Sequence, residues 1–217
     1  TARGLIAGLG GPERPHVPST DAITLSRYRH LAGVLDPAEL SGDPPGELRF
    51  DESDLLGAAA PSVAPDGAPR VLGYYTPRGV EVGLEGYGLL ARLRTLGFEP
   101  RIEVVADPDA GDTVRVFGDA SADCLLMEIR LGRDARTVPG LELLRIEWLL
   151  LQNPRASWAA GRVPLPGQRH PGLSMFDDVS ILTLMVCERL HLDGIVVVPS
   201  HFHVAVRWHG RMRFVDP

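Results

Sequence analysis

The chain has 217 residues, a formal net charge of -6 and a pI near 5.6. General nucleic-acid binding is excluded, because neutralising phosphates needs a basic face and the residue order offers none. Hydrophobic residues make up 44% of the chain, and the longest apolar runs, 149–151 and 195–198, are far too short to cross a bilayer, so a soluble protein with no membrane partner is expected.

Every one of the 22 basic residues is arginine. Arginine codons are richer in G and C than lysine codons, so a high-GC bacterial genome accounts for the bias, and catalysis through a lysine Schiff base is ruled out. The two cysteines, Cys124 and Cys187, lie in apolar runs and are expected as buried free thiols in a reducing cytoplasm. No CxxC spacing suggests a structural metal, and none is expected.

In chain order, residues 1–69 read as a Pro/Gly-rich N-terminal extension, with short helices over 25–34 and 52–58. A linker over 59–69 is punctuated by Pro61, Pro65, Gly67 and Pro69. The main domain then spans 70–217. Residues 71–75 are strand-like, and 79–97 carry Val82, Leu89, Leu90, Leu93 and Leu96 at near-helical spacing up to a stop at Gly97. Four strand-like runs follow, over 101–106, 113–117, 124–131 and 141–151, the last long enough to be part helix. Turn residues at 108–112 and 138–140 make successive strands antiparallel neighbours.

Residues 153–167 read as a loop, and 175–192 as a long helix with Asp177 and Asp178 in its first turn, where they complement the dipole. The β-branched run 195–198 lacks alternation, which predicts a central strand buried on both faces. Residues 201–208 alternate with period two. With a turn at Gly210 they predict a strand that returns over 211–215.

Chemistry concentrates after residue 168. Arg169-His170-Pro171-Gly172-Leu173-Ser174 opens the long helix. Such a loop directs free backbone N–H groups and the positive end of the dipole at whatever lies above it, so an anion is the natural guest. His201 and His203 form an H-x-H pair that on a strand would share one face. Metal ligation is open to it by geometry, with His170, Glu128 or Asp216 as third ligand, but a hydrogen-bonded pair lining a pocket is the simpler expectation.

The element order and the loop Arg169-x-x-Gly172-x-Ser174 resemble the GNAT superfamily of N-acetyltransferases. That resemblance implies an α/β fold of the α+β kind, a mixed and mostly antiparallel central sheet flanked by helices. It also implies acyl transfer from acetyl-CoA to the amine of a small molecule or peptide. Arg169, His170, Gly172, Leu173 and Ser174 would hold the cofactor pyrophosphate, Glu147 would be the general base, and His201, His203 or His209 would assist. The family's tyrosine that protonates the departing thiolate has no counterpart, since no tyrosine follows Tyr87; His209 would take that role.

The terminus is similar to a second family, the transglutaminase-like proteins, through His201, the turn at Gly210 and Asp216-Pro217. No cysteine stands at the start of the preceding helix, so that resemblance implies a binding module or pseudoenzyme unless Ser174 serves as nucleophile. A non-catalytic interaction protein acting through the acidic N-terminus is a third reading. The conformation of 200–209 separates the first two: helix for the acetyltransferase, strand for the transglutaminase-like hairpin. Because the chain stops in what reads as mid-sheet, an open edge pairing with a second copy, as a homo-oligomer, is also expected.

Overall fold

The computed structural model describes residues 5–7, 22–42, 69–107, 110–121, 123–209 and 212–215. Its centre is a seven-stranded sheet built from β1 (Leu5–Ala7), β2 (Arg101–Val105), β3 (Asp112–Phe117), β4 (Leu125–Asp134), β5 (Leu143–Leu151), β6 (Gly194–Val197) and β7 (Arg213–Phe214). The spatial order is β2-β3-β4-β5-β6-β1-β7. Every neighbouring pair is antiparallel except β5 and β6, which run parallel. The helices are α1 (Ala22–Val34), α2 (Pro37–Ser41), α3 (Pro77–Gly86), α4 (Leu89–Thr95), α5 (Phe176–Arg189) and α6 (Phe202–His209). The α+β class and the mixed, mostly antiparallel sheet flanked by helices are therefore as the sequence predicts.

Alternation along the strands decides which face is covered. Val114, Val116, Met127, Ile129 and Leu131 are buried and join the helices in one core. The intervening residues carry charge. Arg115 donates to Glu103 at 2.9 Å and to Glu128 at 2.7 Å, a cross-strand ladder over β2, β3 and β4. Helix α5 supplies Val179, Ile181, Met185 and Cys187 to the core. All four residues of β6 are buried, as the unbroken apolar run requires of a strand flanked on both sides.

Three expectations are corrected. Residues 71–75 form a tight turn closed by a single bridge between Val71 and Tyr75, because Leu72 (φ 56°) and Gly73 (φ 70°) both adopt the left-handed conformation. The helix expected over 79–97 is two helices, broken where Gly88 takes φ 80°. The strand-like reading of the run 141–151 holds, with strand from Leu143 to Leu151. Most consequential, residues 202–209 are helical rather than extended. The run fits both periods, and the helical one buries Trp208 with Val204 and Ala205 half-buried beside it, while Phe202 and Val206 face out. Trp208 meets Phe176 of α5 edge-on at 4.8 Å, and Arg207 covers the same ring at 4.5 Å.

Elements on both sides of residue 69 share this architecture. Strand β1 lies between β6 and β7, and α1 is tied to α5 by hydrogen bonds from Tyr28 to Asp178 and from Arg29 to Glu188. The helix expected over 52–58 and the linker, apart from Pro69, fall outside the described residues. Among the described residues no helix is long and apolar enough to cross a membrane.

Candidate functional site

The parallel pair defines a fork. β5 and β6 stay in register from Leu143↔Gly194 to Ile146↔Val197, and the Val198 N–H donates to the Ile146 carbonyl at 3.0 Å. Beyond that point β5 continues for five residues to Leu151 with only β4 beside it among the described strands. Among the described residues its backbone on the β6 side has no strand partner there, so the fork leaves main chain outside the ladder of an otherwise paired sheet.

Glu147 sits at the branch. The register of β4 against β5 jumps from Arg130↔Trp148 to Leu131↔Ile146, which leaves Glu147 as the extra residue of a β-bulge. A bulge turns a side chain away from simple alternation, and the Glu147 carboxylate is only partly exposed, in an ion pair with Arg145 at 3.0 Å. Trp148, the next residue, keeps its indole N–H buried and without a hydrogen-bond partner among the described residues.

The end of β5 leads into the loop that approaches α5. Asn153 donates its backbone N–H to the Pro171 carbonyl at 2.7 Å, which places the Gly172 segment beside the strand end. Leu173 and Met175 plug into the core, while Gly172 and Ser174, which alternate with them, are exposed. Ser174 adopts φ 56°, unusual for a residue with a side chain. A Cβ at Gly172 would meet only the Leu151 carbonyl, at 3.7 Å, so packing does not demand glycine there.

Charge at this helix start is balanced. Asp177 and Asp178 occupy the first turn of α5. Arg92 of α4 donates to Asp178 at 2.5 Å and to the Ser174 carbonyl at 3.0 Å. Arg92 is the residue that sequence reading missed: it lies 82 positions before Ser174, and only the packing of α4 on the loop brings it in. With exposed Arg169 it supplies the cationic side of the loop.

The predicted site histidines separate into three places. His201 and His203 stack at 5.4 Å with rings 23° apart, and Ser200 Oγ lies 3.0 Å from His201 Nδ1. Gly167 of the long loop rests on the His201 ring, where a Cβ would come within 3.0 Å. This pair therefore fixes the loop to the start of α6, and no third metal-ligating side chain joins it among the described residues. His209 is at the exposed far end of α6. His170 is half-buried in the loop. Glu147 pairs with Arg145 and His201 with Ser200, so the expected base and the imidazoles have separate partners.

The helix over 202–209 removes the strand on which the His/Asp hairpin depended, and Asp216 falls outside the described residues. Both cysteines are buried and free. Burial pushes the Cys187 thiol up to about 11 and raises that of Cys124, so both are held as thiols at neutral pH. No protein-family model, curated protein or solved structure matches this chain.

Proposed function

We propose that this protein transfers an acetyl or other acyl group from a coenzyme A thioester to the amine of a small molecule or peptide. The fork carries the reading: a parallel pair that parts at Ile146 and Val197, with a bulged glutamate at the branch and a glycine-containing loop where the longer strand ends. The pantetheine arm of coenzyme A is an extended chain of amides, suited to adding along the β6 side of residues 147–151 as a short strand would. Its pyrophosphate would lie over residues 172–174, held by loop N–H groups with Arg169 and Arg92. Since Asp178 now engages Arg92, anion binding would draw the guanidinium from carboxylate to phosphate.

In the reaction, the amine nitrogen attacks the thioester carbonyl carbon and loses a proton to Glu147. The tetrahedral intermediate then collapses with cleavage of the C–S bond, and the thiolate takes a proton from His209 or a neighbouring water. The helical form of 202–209 supports this reading over the transglutaminase-like one. Thermal unfolding with acetyl-CoA tests it, because a ligand that binds only the native state at about 100 times its Kd adds about 2.7 kcal/mol. The wild type is expected to gain stability and Gly172→Ala to lose most of that gain, since a methyl group there intrudes on the phosphate and not on the protein. An unchanged transition with millimolar acetyl-CoA would sink the reading.

A further inference from the structure

A second feature lies away from the fork, between the sheet and helices α2, α3 and α5. It is a cavity of about 80 Å³ whose floor is Val114, Met127, Ile129 and Leu131 of β3 and β4. Its walls come from α3, with Gly83 and Leu84, and from α5, with Val179, Leu182 and Val186. Thr183 also faces it, but its hydroxyl is spent on the Ser180 carbonyl at 2.8 Å. The interior therefore offers a polar ligand nothing to bond, and it favours hydrocarbon.

The lining also includes polar chemistry. Arg189, the last residue of α5, lines the cavity and is half-buried. Its described hydrogen bond goes to the Ala32 carbonyl, a neutral acceptor, and it pairs with no carboxylate among the described residues. Arg29 next door, by contrast, pairs with Glu188. Tyr75 and Tyr87 also line the cavity. The guanidinium lies close enough to offset in part the burial that raises both phenols. A cation and two phenols in the lining of an otherwise aliphatic pocket suit an anion on a hydrocarbon tail.

We propose that this cavity binds an unbranched aliphatic carboxylate, with the chain against Gly83, Val114 and Val186 and the carboxylate at Arg189. Space sets its length. One water-sized sphere needs about 10–15 Å³, so the cavity takes roughly five to eight, and each matches about one chain carbon. The site is independent of the acyltransferase reading, since it shares none of the residues assigned to coenzyme A.

Calorimetric titration of the full chain with butyrate, hexanoate, octanoate and dodecanoate tests it, with octanol as the uncharged control. Affinity is expected to rise about fourfold per added methylene up to octanoate and then to level. Gly83→Leu fills the cavity, because a Cβ there meets only Leu40 Cδ2 at 4.0 Å. This variant should bind octanoate at least tenfold more weakly while unfolding no earlier than wild type. Val186→Phe, filling from the opposite wall, is the second variant should the first not fold. Arg189→Gln should weaken octanoate about tenfold and leave octanol unchanged. The proposal is overturned if octanoate does not bind, if butyrate binds as well, if both filled variants bind unchanged, or if octanol falls in step with octanoate in Arg189→Gln. Binding of acetyl-CoA, measured in parallel, reports on the fork alone.

Discussion

Glu147 shows how one residue's place depends on a register it cannot set alone. Alternation between Ile146 and Trp148 makes it a solvent-facing position; the bulge against β4 turns it into the residue at the fork. If it is the base, Glu147→Gln should lower kcat by about 10²–10⁴ with little change in acetyl-CoA affinity, read from steady-state rates beside a binding titration. Stability should barely move, because the pair with Arg145 is partly exposed and such pairs contribute about 0–1 kcal/mol. A loss of stability with kcat intact would make it a structural residue. The loop glycine is the converse case. Gly172 reads in the sequence as part of a phosphate-holding loop, and its Cβ would meet only an ordinary contact with the protein, so Gly172→Ala should change stability by no more than about 0.5 kcal/mol in urea.

At the scale of elements, two glycines in the α3–α4 region do different work. A Cβ at Gly79 would stand 1.8 Å from the Leu40 carbonyl oxygen, so α2 and α3 touch only because that side chain is absent. Gly79→Ala must push backbone from backbone and should cost more than about 3 kcal/mol in equilibrium unfolding. At Gly88 the space is open but φ is 80°, so Gly88→Ala should cost only the left-handed strain of about 1–2 kcal/mol. The turn after β4 turns on a carboxylate. Burial would raise the Asp134 pKa, yet hydrogen bonds from the Thr137 hydroxyl and from the Thr137 and Arg136 N–H groups outweigh it and hold the carboxyl below its usual range. A depressed pKa contributes stability that is present above the unfolded value of about 3.9 and lost as pH falls through the folded one. Asp134→Ala should therefore cost about 1–3 kcal/mol at pH 7, and progressively less as wild type and variant are compared towards pH 2.

For the whole molecule, the described residues before Ala22 are three that enter the sheet. Leu5–Ala7 pair with Val197, Val196 and Ile195 and stand between β6 and β7. A chain lacking residues 1–21 would leave fully buried β6 as an unprotected edge, so it is expected to aggregate or to unfold at lower urea than the full chain, measured by size-exclusion chromatography and fluorescence.

The sequence by itself determined the elements whose pattern admits one period. These were the turn-bounded antiparallel strands after residue 100, helix α5 with its apolar stripe and acidic first turn, and β6, which had to be central because all of it is apolar. It determined the buried thiols as well. Local patterns of short range sufficed for each. Tertiary structure alone decided the rest. The run 201–208 fits two periods equally, and the Phe176 ring that receives Trp208 chose the helical one. Registers between strands placed Glu147 in a bulge, packing brought Arg92 to Ser174, and facing apolar surfaces that do not quite meet left the cavity beside Arg189. Each of these depends on residues far apart in the chain, and no single segment carries that information.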